Sequence, residues 1–269
     1  MKMMKYILTL IVMVTICLGF NSELGHAAEE FETIPLNKML SKTLRIDSKK
    51  EGDAMYKVKI PKDGVVTLQL ESPKNKEFSL FLLSSVKNTG EIKPNQDSPF
   101  ISYAFSSKDT EYYKPAMTDT VGVKKGTYYV LASTEGAVKN VKFKVSFKAA
   151  SNYEKENNNT IKTATPIKLG QAYKADIKLF DMKDYYKITA PKKTNIQITV
   201  KKQLKAPFTI SLHNSKNQKI NNLKMITSNN SLTHTGKVTI EKGTYYINVS
   251  SGASLAKLSV PYTIKVDGY

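Results

Sequence analysis

Four carboxylates and two side-chain amides crowd into two short segments in the second half of this chain. Glu154-Lys155-Glu156-Asn157-Asn158-Asn159-Thr160 is followed by Asp181-Met182-Lys183-Asp184. Residues 151–269 hold seven acidic side chains against 19 basic ones, and four of the seven fall in these two segments. Acids that could have been scattered among lysines instead alternate as Glu-x-Glu and Asp-x-x-Asp, a pattern able to gather oxygens into a cage. Ca2+ takes roughly six to eight oxygens from carboxylates, amides and carbonyls, and Asn158 and Asn159 add neutral ones. No histidine or cysteine is near enough in sequence to favour a transition metal. A solvated acidic linker would show the same spacing.

Other chemistries find little material. Beyond residue 27 the chain has two histidines, His213 and His234, and no cysteine. His213 follows Leu212 on a strand and is expected to face outward; His234 is read as part of the Ser/Thr/Asn-rich loop before Val238. Neither is accompanied by a nucleophile elbow, and phosphate-cradling glycine loops and zinc spacings are missing. The chain is not expected to be an enzyme.

The elements that must position the acidic segments are written twice. Tyr56–Pro61, Val66–Leu70 and Phe78–Leu82 recur as Tyr186–Pro191, Ile196–Val200 and Phe208–Leu212, all displaced by 130 residues. Val121–Val130 recurs as Val238–Ile247, displaced by 117. The second copy is thus 13 residues shorter in the middle, and the surplus is assigned to a loop. A period this long is a tandem of complete domains rather than a solenoid. Short alternating runs of Val, Ile, Thr, Tyr and Phe, separated by Gly, Pro, Asn, Asp and Lys, predict an all-β chain in which each copy is an antiparallel β-sandwich of seven or eight strands. The domains are placed at 28–150 and 151–269. Tyr128 and Tyr245 are assigned inward and Tyr129 and Tyr246 outward by the same alternation. The first copy carries an insert near 87–120, with Pro94, Pro99, Pro115, Phe100, Tyr103, Phe105, Tyr112 and Tyr113. It reads either as a binding loop or as an additional hairpin packing its own aromatics.

Taken in order, Glu-x-Glu-x-Asn-Asn, Ala164-Thr165-Pro166-Ile167, Asp181-x-x-Asp184-Tyr185-Tyr186 and Gly243-Thr244-Tyr245-Tyr246-Ile247 resemble the bacterial pre-peptidase C-terminal (PPC) domain, the family that includes the collagen-binding domains of clostridial collagenases. The resemblance runs over residues 152–266, and more weakly over the first copy through Tyr56–Pro61 and Gly126–Val130. It implies two tandem jelly-roll-like β-sandwiches, and it carries Ca2+-ligand roles onto Glu154, Glu156, Asn158, Asn159, Asp181 and Asp184. Asn159 stands where the family often has aspartate, which implies weaker affinity. Ser250, Ser251 and Gly252 occupy the stretch where collagen-binding members carry further aromatics, so collagen is disfavoured. The first copy retains Asp53 opposite Asp184, but the counterpart of Glu154 and Glu156 falls near residue 27. Glu29, Glu30 and Glu32 have a different spacing, and no Ca2+ is expected there.

Lys2 and Lys5, an apolar run from Tyr6 to Phe20 and the small residues of Gly25-His26-Ala27 read as a signal peptide over residues 1–27. The run is shorter than a membrane span, and Cys17 follows Ile16 where a lipoprotein signal needs a small residue. A secreted chain is expected, without a transmembrane segment after cleavage and without disulfides. Residues 28–150 hold 20 basic and 15 acidic side chains, so residues 151–269, at +12, carry most of the positive charge. Nearly all of it is lysine, Arg45 being the one arginine, and lysine alone is poorly suited to specific nucleic-acid readout. It suits diffuse attraction to an anionic cell-wall or extracellular polymer. The function expected is non-catalytic binding to such polymers or to a secreted enzyme, outside the cell or at its wall. The alternative is a protein-directed factor, such as an extracellular protease inhibitor, chaperone or immunity protein, working through the first-domain insert.

Overall fold

The computed structural model describes residues 31–44, 54–71, 73, 76–85, 100–106, 116–134, 137–178, 181–226, 231–251 and 259–269. The expected signal peptide with Cys17, and Glu29, Glu30, Arg45 and Asp53, lie outside the described residues. Every regular element among the described residues is a β-strand. By its contacts the chain separates into one unit of Met1–Lys62, Val66–Thr120 and Lys125–Lys148, and a second of Asp63–Val65, Val121–Lys124 and Ala149–Tyr269.

The first eight strands are β1 (Leu40–Leu44), β2 (Ala54–Ile60), β3 (Gly64–Glu71), β4 (Phe78–Leu83), β5 (Phe100–Ser106), β6 (Ala116–Val123), β7 (Gly126–Thr134) and β8 (Val138–Ala149). They form two four-stranded sheets, ordered β1-β8-β3-β6 and β2-β7-β4-β5. The remaining strands are β9 (Thr165–Pro166), β10 (Ala172–Lys178), β11 (Lys183–Ala190), β12 (Thr194–Lys202), β13 (Phe208–Asn214), β14 (Lys224–Ile226), β15 (Thr233–Ile240), β16 (Gly243–Ser251) and β17 (Ser259–Gly268). Their sheets are ordered β10-β17-β12-β15-β14 and β13-β16-β11-β9. From β10 to β13, and again from β15 to β17, each successive strand crosses to the other sheet. Hydrogen-bonded neighbours are therefore distant in sequence: β12 lies between β15 and β17, with Ile198 opposite Gly236 and Val266.

The alternation that the residues dictate is what buries one face of each strand. Along β11, Asp184, Tyr186, Ile188 and Ala190 are buried, while Lys187 and Thr189 are exposed. Along β12, Ile196, Ile198 and Val200 join Leu212, Ile247, Val249, Ile264 and Val266 in one core. Tyr128 is buried, Tyr245 packs against the second core, and Tyr129 and Tyr246 are half-buried.

The two units share a frame. β2, β3 and β4 match β11, β12 and β13 in sheet position as well as in sequence, and β6 and β7 match β15 and β16. The differences are at edges. β5 extends the first unit's sheet beyond β4, whereas β14 and β9 extend the second unit's sheets beyond β15 and β11. Part of the 87–120 insert is therefore strand and not loop, because Ile101, Tyr103 and Ala104 find a core to fill. β5 is further held by Asp119 of β6, which accepts from the Ser102 hydroxyl and, at 3.1 Å, from the Tyr103 N–H. Pro94, Pro99, Tyr112, Tyr113 and Pro115 lie outside the described residues. Among the described residues no helix is long and apolar enough to cross a membrane.

A register error of one residue would exchange the inward and outward sets of β12. Ile198→Ala is expected to cost about 2–5 kcal/mol, and Gln197→Ala, one position away on the outward face, under about 0.5 kcal/mol. Urea titration of the two variants checks the difference; equal losses would contradict the register.

Candidate metal centre

Three strands and one irregular segment bring the acids together. Asp184 enters on β11, where its position in the alternation turns it inward beside Tyr186. Glu154 and Glu156 stand on the extended segment before β9, anchored where Glu154 N donates to Lys174 O of β10 at 2.9 Å and Tyr185 N donates to Asn158 O at 2.9 Å. Lys155 N donates to the hydroxyl of buried Thr165 on β9 at 2.9 Å. Glu156 N donates to Gly122 O at 3.0 Å. A Cβ on residue 122 would sit 1.8 Å from the Glu154 carbonyl oxygen, so only glycine permits this approach.

All six residues picked out by spacing and resemblance meet here. Glu154, Glu156 and Asp184 each bring a carboxylate oxygen within 4.8 Å of the other two, an arrangement able to hold a metal ion. Asp181 hydrogen-bonds Glu156 and Asn159, and Asn158 Nδ2 donates to Glu154 Oε2 at 3.3 Å. The four acids and Asn158 are each at most 5 % exposed, so a solvated linker does not describe them. Glu156 Oε1, Asn158 Oδ1, Asn159 Oδ1, Asp181 Oδ1 and Asp184 Oδ1 are buried with no hydrogen-bond partner. Buried polar atoms are nearly always satisfied, and five oxygens left over in one cluster, none of them a donor when ionised, fit a hard cation.

Two tyrosines and a lysine complete the surroundings. The Tyr186 hydroxyl donates to Glu154 Oε2 at 2.8 Å, the Tyr262 hydroxyl donates to Asp184 Oδ2 at 2.5 Å, and the two hydroxyls are 2.6 Å apart. Four oxygens in a row need three protons for three bonds, and the hydroxyls supply two. Burial and the neighbouring Asp181 push Glu154 up to about 8. Burial pushes Asp181 up to about 6. Burial and their acidic neighbours raise Glu156 and Asp184 well above the carboxylate range. The ammonium of buried Lys178 opposes the rise at Glu156 and Asp181. Tyr262 and Lys178 carry no local signal in the sequence: one is an aromatic among strand aromatics, the other a lysine among lysines.

The histidines lie elsewhere. His213 is partly exposed on β13, with Nε2 2.9 Å from Ser211 Oγ and Nδ1 3.3 Å from the Asn217 carbonyl, so a backbone oxygen stands where a triad would need a carboxylate. His234 is not in a loop. It belongs to β15, opposite Val200, and is 1 % exposed with neither ring nitrogen hydrogen-bonded. Burial and nearby Lys202 lower its pKa.

Fold and site together define a β-sandwich module with a buried oxygen cage. Residues 183–251 match the family model of the bacterial pre-peptidase C-terminal domain. No curated protein sequence matches the chain. Similar solved structures include the pre-peptidase C-terminal domain of a collagenase from Bacillus anthracis, at 19 % identity over 39 % of this chain and 94 % of that one, with a TM-score of 0.33. The surface-associated copper-binding protein CorA of Methylomicrobium album BG8 is 15 % identical over 44 % of this chain and 97 % of that one, with a TM-score of 0.31. The PBSX exported protein XepA is 11 % identical over 87 % of this chain and 88 % of that one, with a TM-score of 0.26.

The raised acids fix the sign of a pH effect. Between their unfolded values near 4 and their folded values, the cation-free fold binds protons that the unfolded chain does not, so its stability falls as pH rises. His234 acts in the opposite sense but is neutral in both states above about pH 7. In chelator, the second unit's melting temperature is expected to fall from pH 7 to 8.5, the range in which Glu154 loses its proton. Calorimetry across that range checks it, and a flat or rising profile would contradict the charge crowding.

Proposed function

We propose that this chain is a secreted, non-catalytic binding protein whose second unit holds Ca2+ in the cage of Glu154, Glu156, Asn158, Asn159, Asp181 and Asp184. The observation that carries the metal assignment is the set of five buried oxygens without partners. All the candidate ligand atoms are oxygens, which favours Ca2+ over softer ions, and the cage offers more carboxylates than Mg2+ ordinarily uses. Supporting the family reading is the match over residues 183–251, which includes Asp184 and the pairs Tyr185-Tyr186 and Tyr245-Tyr246.

The binding target is an anionic polymer of the cell wall or extracellular space. Residues 151–269 carry +12 and no arginine, so attraction is diffuse and strongly screened by salt. The alternative of a protein-directed factor loses ground where β5 spends Ile101, Tyr103 and Ala104 on the core.

Two outcomes follow. Ca2+ at a hundredfold excess over its Kd stabilises by about 2.7 kcal/mol. Asp184→Asn keeps an acceptor for Tyr262 but removes a charge, so it should raise the melting temperature in chelator and largely abolish the rise on adding Ca2+. Scanning calorimetry of both proteins decides; identical melts of the parent chain with Ca2+ and with chelator would remove the metal. For the polymer, retention of the mature protein on insoluble wall material should fall at least about tenfold between about 0.05 and 0.5 M salt. Salt-resistant retention would point to a specific protein partner instead.

A further inference from the structure

The segment that supplies the cage presents a second face. Glu154 and Glu156 are buried, and Lys155 between them lines a recess of about 480 Å3. The residues lining the recess all belong to the second unit. Its walls carry Lys124, Lys155, Lys162 and Lys187 against one carboxylate, Asp63, which is ion-paired with Lys155. Strand register explains part of this crowding. Lys187 stands directly opposite Pro166 on β9 and Tyr246 on β16, so the three project side by side from one face of the sheet. Lys162 is held at the rim by a turn in which Thr163 N donates to Thr160 O at 3.1 Å and the two threonine hydroxyls lie 2.9 Å apart.

We propose that this recess binds phosphate groups of a phosphodiester-linked polyol chain, a proposal that rests on the anionic-polymer reading and gives it a location and a chemistry. Lysine ammoniums bind phosphate as point charges without a planar fork, and several of them around one recess suit a tetrahedral group that accepts from many directions. The half-buried Tyr246 ring and Pro166 offer apolar faces to the C–H groups between phosphates. The volume is that of an ordinary ligand site and exceeds what one phosphate fills.

The test is equilibrium binding of the full mature chain to a glycerol phosphate oligomer at low salt. It compares Lys162→Gln/Lys187→Gln with Lys192→Gln/Lys216→Gln, which removes the same charge from exposed positions of the same unit that do not line the recess. All four lysines are exposed, so the variants are expected to fold, and melting curves check it. The recess pair should weaken binding at least about tenfold and the control pair under about threefold. Equal losses would overturn the recess while leaving diffuse attraction to polyanions intact. Polygalacturonate, matched in charge, should bind more weakly than the phosphate oligomer; equal affinity would overturn the phosphate assignment. Failure of the parent chain to bind either polymer would bring down the anionic-polymer reading itself, and this proposal with it.

Discussion

A carboxylate removed from water loses several kcal/mol of hydration unless charge or donors replace it, and the second unit buries four in one cluster. Donors are present but too few: Asp176 N reaches Glu154 at 2.7 Å, Asn158 N reaches Glu156 at 3.2 Å, and the two tyrosines serve one acid each. The remaining imbalance has to be met by protons or by a cation. That choice reaches far beyond the cage, because Tyr186 and Tyr262 are also central core residues, Tyr262 lying edge-on to Phe208 with ring centroids 5.4 Å apart. Moving the acids moves the tyrosines, and moving the tyrosines disturbs the packing between the sheets. A fold without disulfides among its described residues has little else to absorb such a disturbance.

The first unit shows the same frame, and among its described residues no acids gather in this way. Tyr56 takes the place of Tyr186 and Phe78 that of Phe208, and the ring in contact with both is Phe143, where the second unit has Tyr262. Phenylalanine fills the volume but brings no hydroxyl to orient a carboxylate. Near Tyr56 the charges are compensated locally: Lys42 pairs with Glu32 at 2.8 Å and lies 5.4 Å from the Tyr56 ring centroid. Where the second unit links its core to the polar cage through the Tyr262 hydroxyl, the first packs the phenyl ring of Phe143.

Most of the fold was legible because it depends on a period of two. The repeated runs Tyr56–Pro61 and Tyr186–Pro191 mark strands whose buried faces follow directly from alternation, and the conserved offsets reappear as equal positions in the sheets. The gathering of Glu154, Glu156 and Asp184 was legible as well, since acids are scarce among the lysines of residues 151–269. What the sequence concealed were contacts between distant strands. Nothing local distinguishes Tyr262 from other strand aromatics, or Lys178 from the surrounding lysines; their roles exist only once β17 and β10 lie side by side, with Ala175 opposite Tyr262. His234 was misplaced because polar loop-like neighbours outweigh a strand pattern of Thr, His, Thr and Gly, and only pairing with Val200 on β12 shows the ring to be interior. β5 was legible only as one of two readings of the insert, a hairpin rather than a loop, since an insert has no counterpart in the other copy to give its register.

The cage and the lysine recess occupy opposite faces of one short segment, and this has a mechanical consequence. Glu154 and Glu156 face the cage, Lys155 faces the recess, and Thr165 and Pro166 of β9 contribute to one side each. The segment has no sheet of its own: between Glu154 and Asn158 it is held by a few backbone bonds, by the Thr165 hydroxyl, by the Lys155–Asp63 ion pair and by whatever balances the acids behind it. If that balance is a bound cation, the segment is pinned from the cage side, and the spacing of Lys155 from Lys187 and Lys162 is fixed with it. If the balance is a shared proton, the pinning is softer and titrates away with rising pH. Ordering a lysine side chain costs conformational entropy at the moment of binding, so a segment already held in place leaves more of the attraction for the ligand. The acidic interior and the basic exterior of this unit are thus two sides of a single positioning problem, in which the charge that stabilises one face sets the geometry of the other.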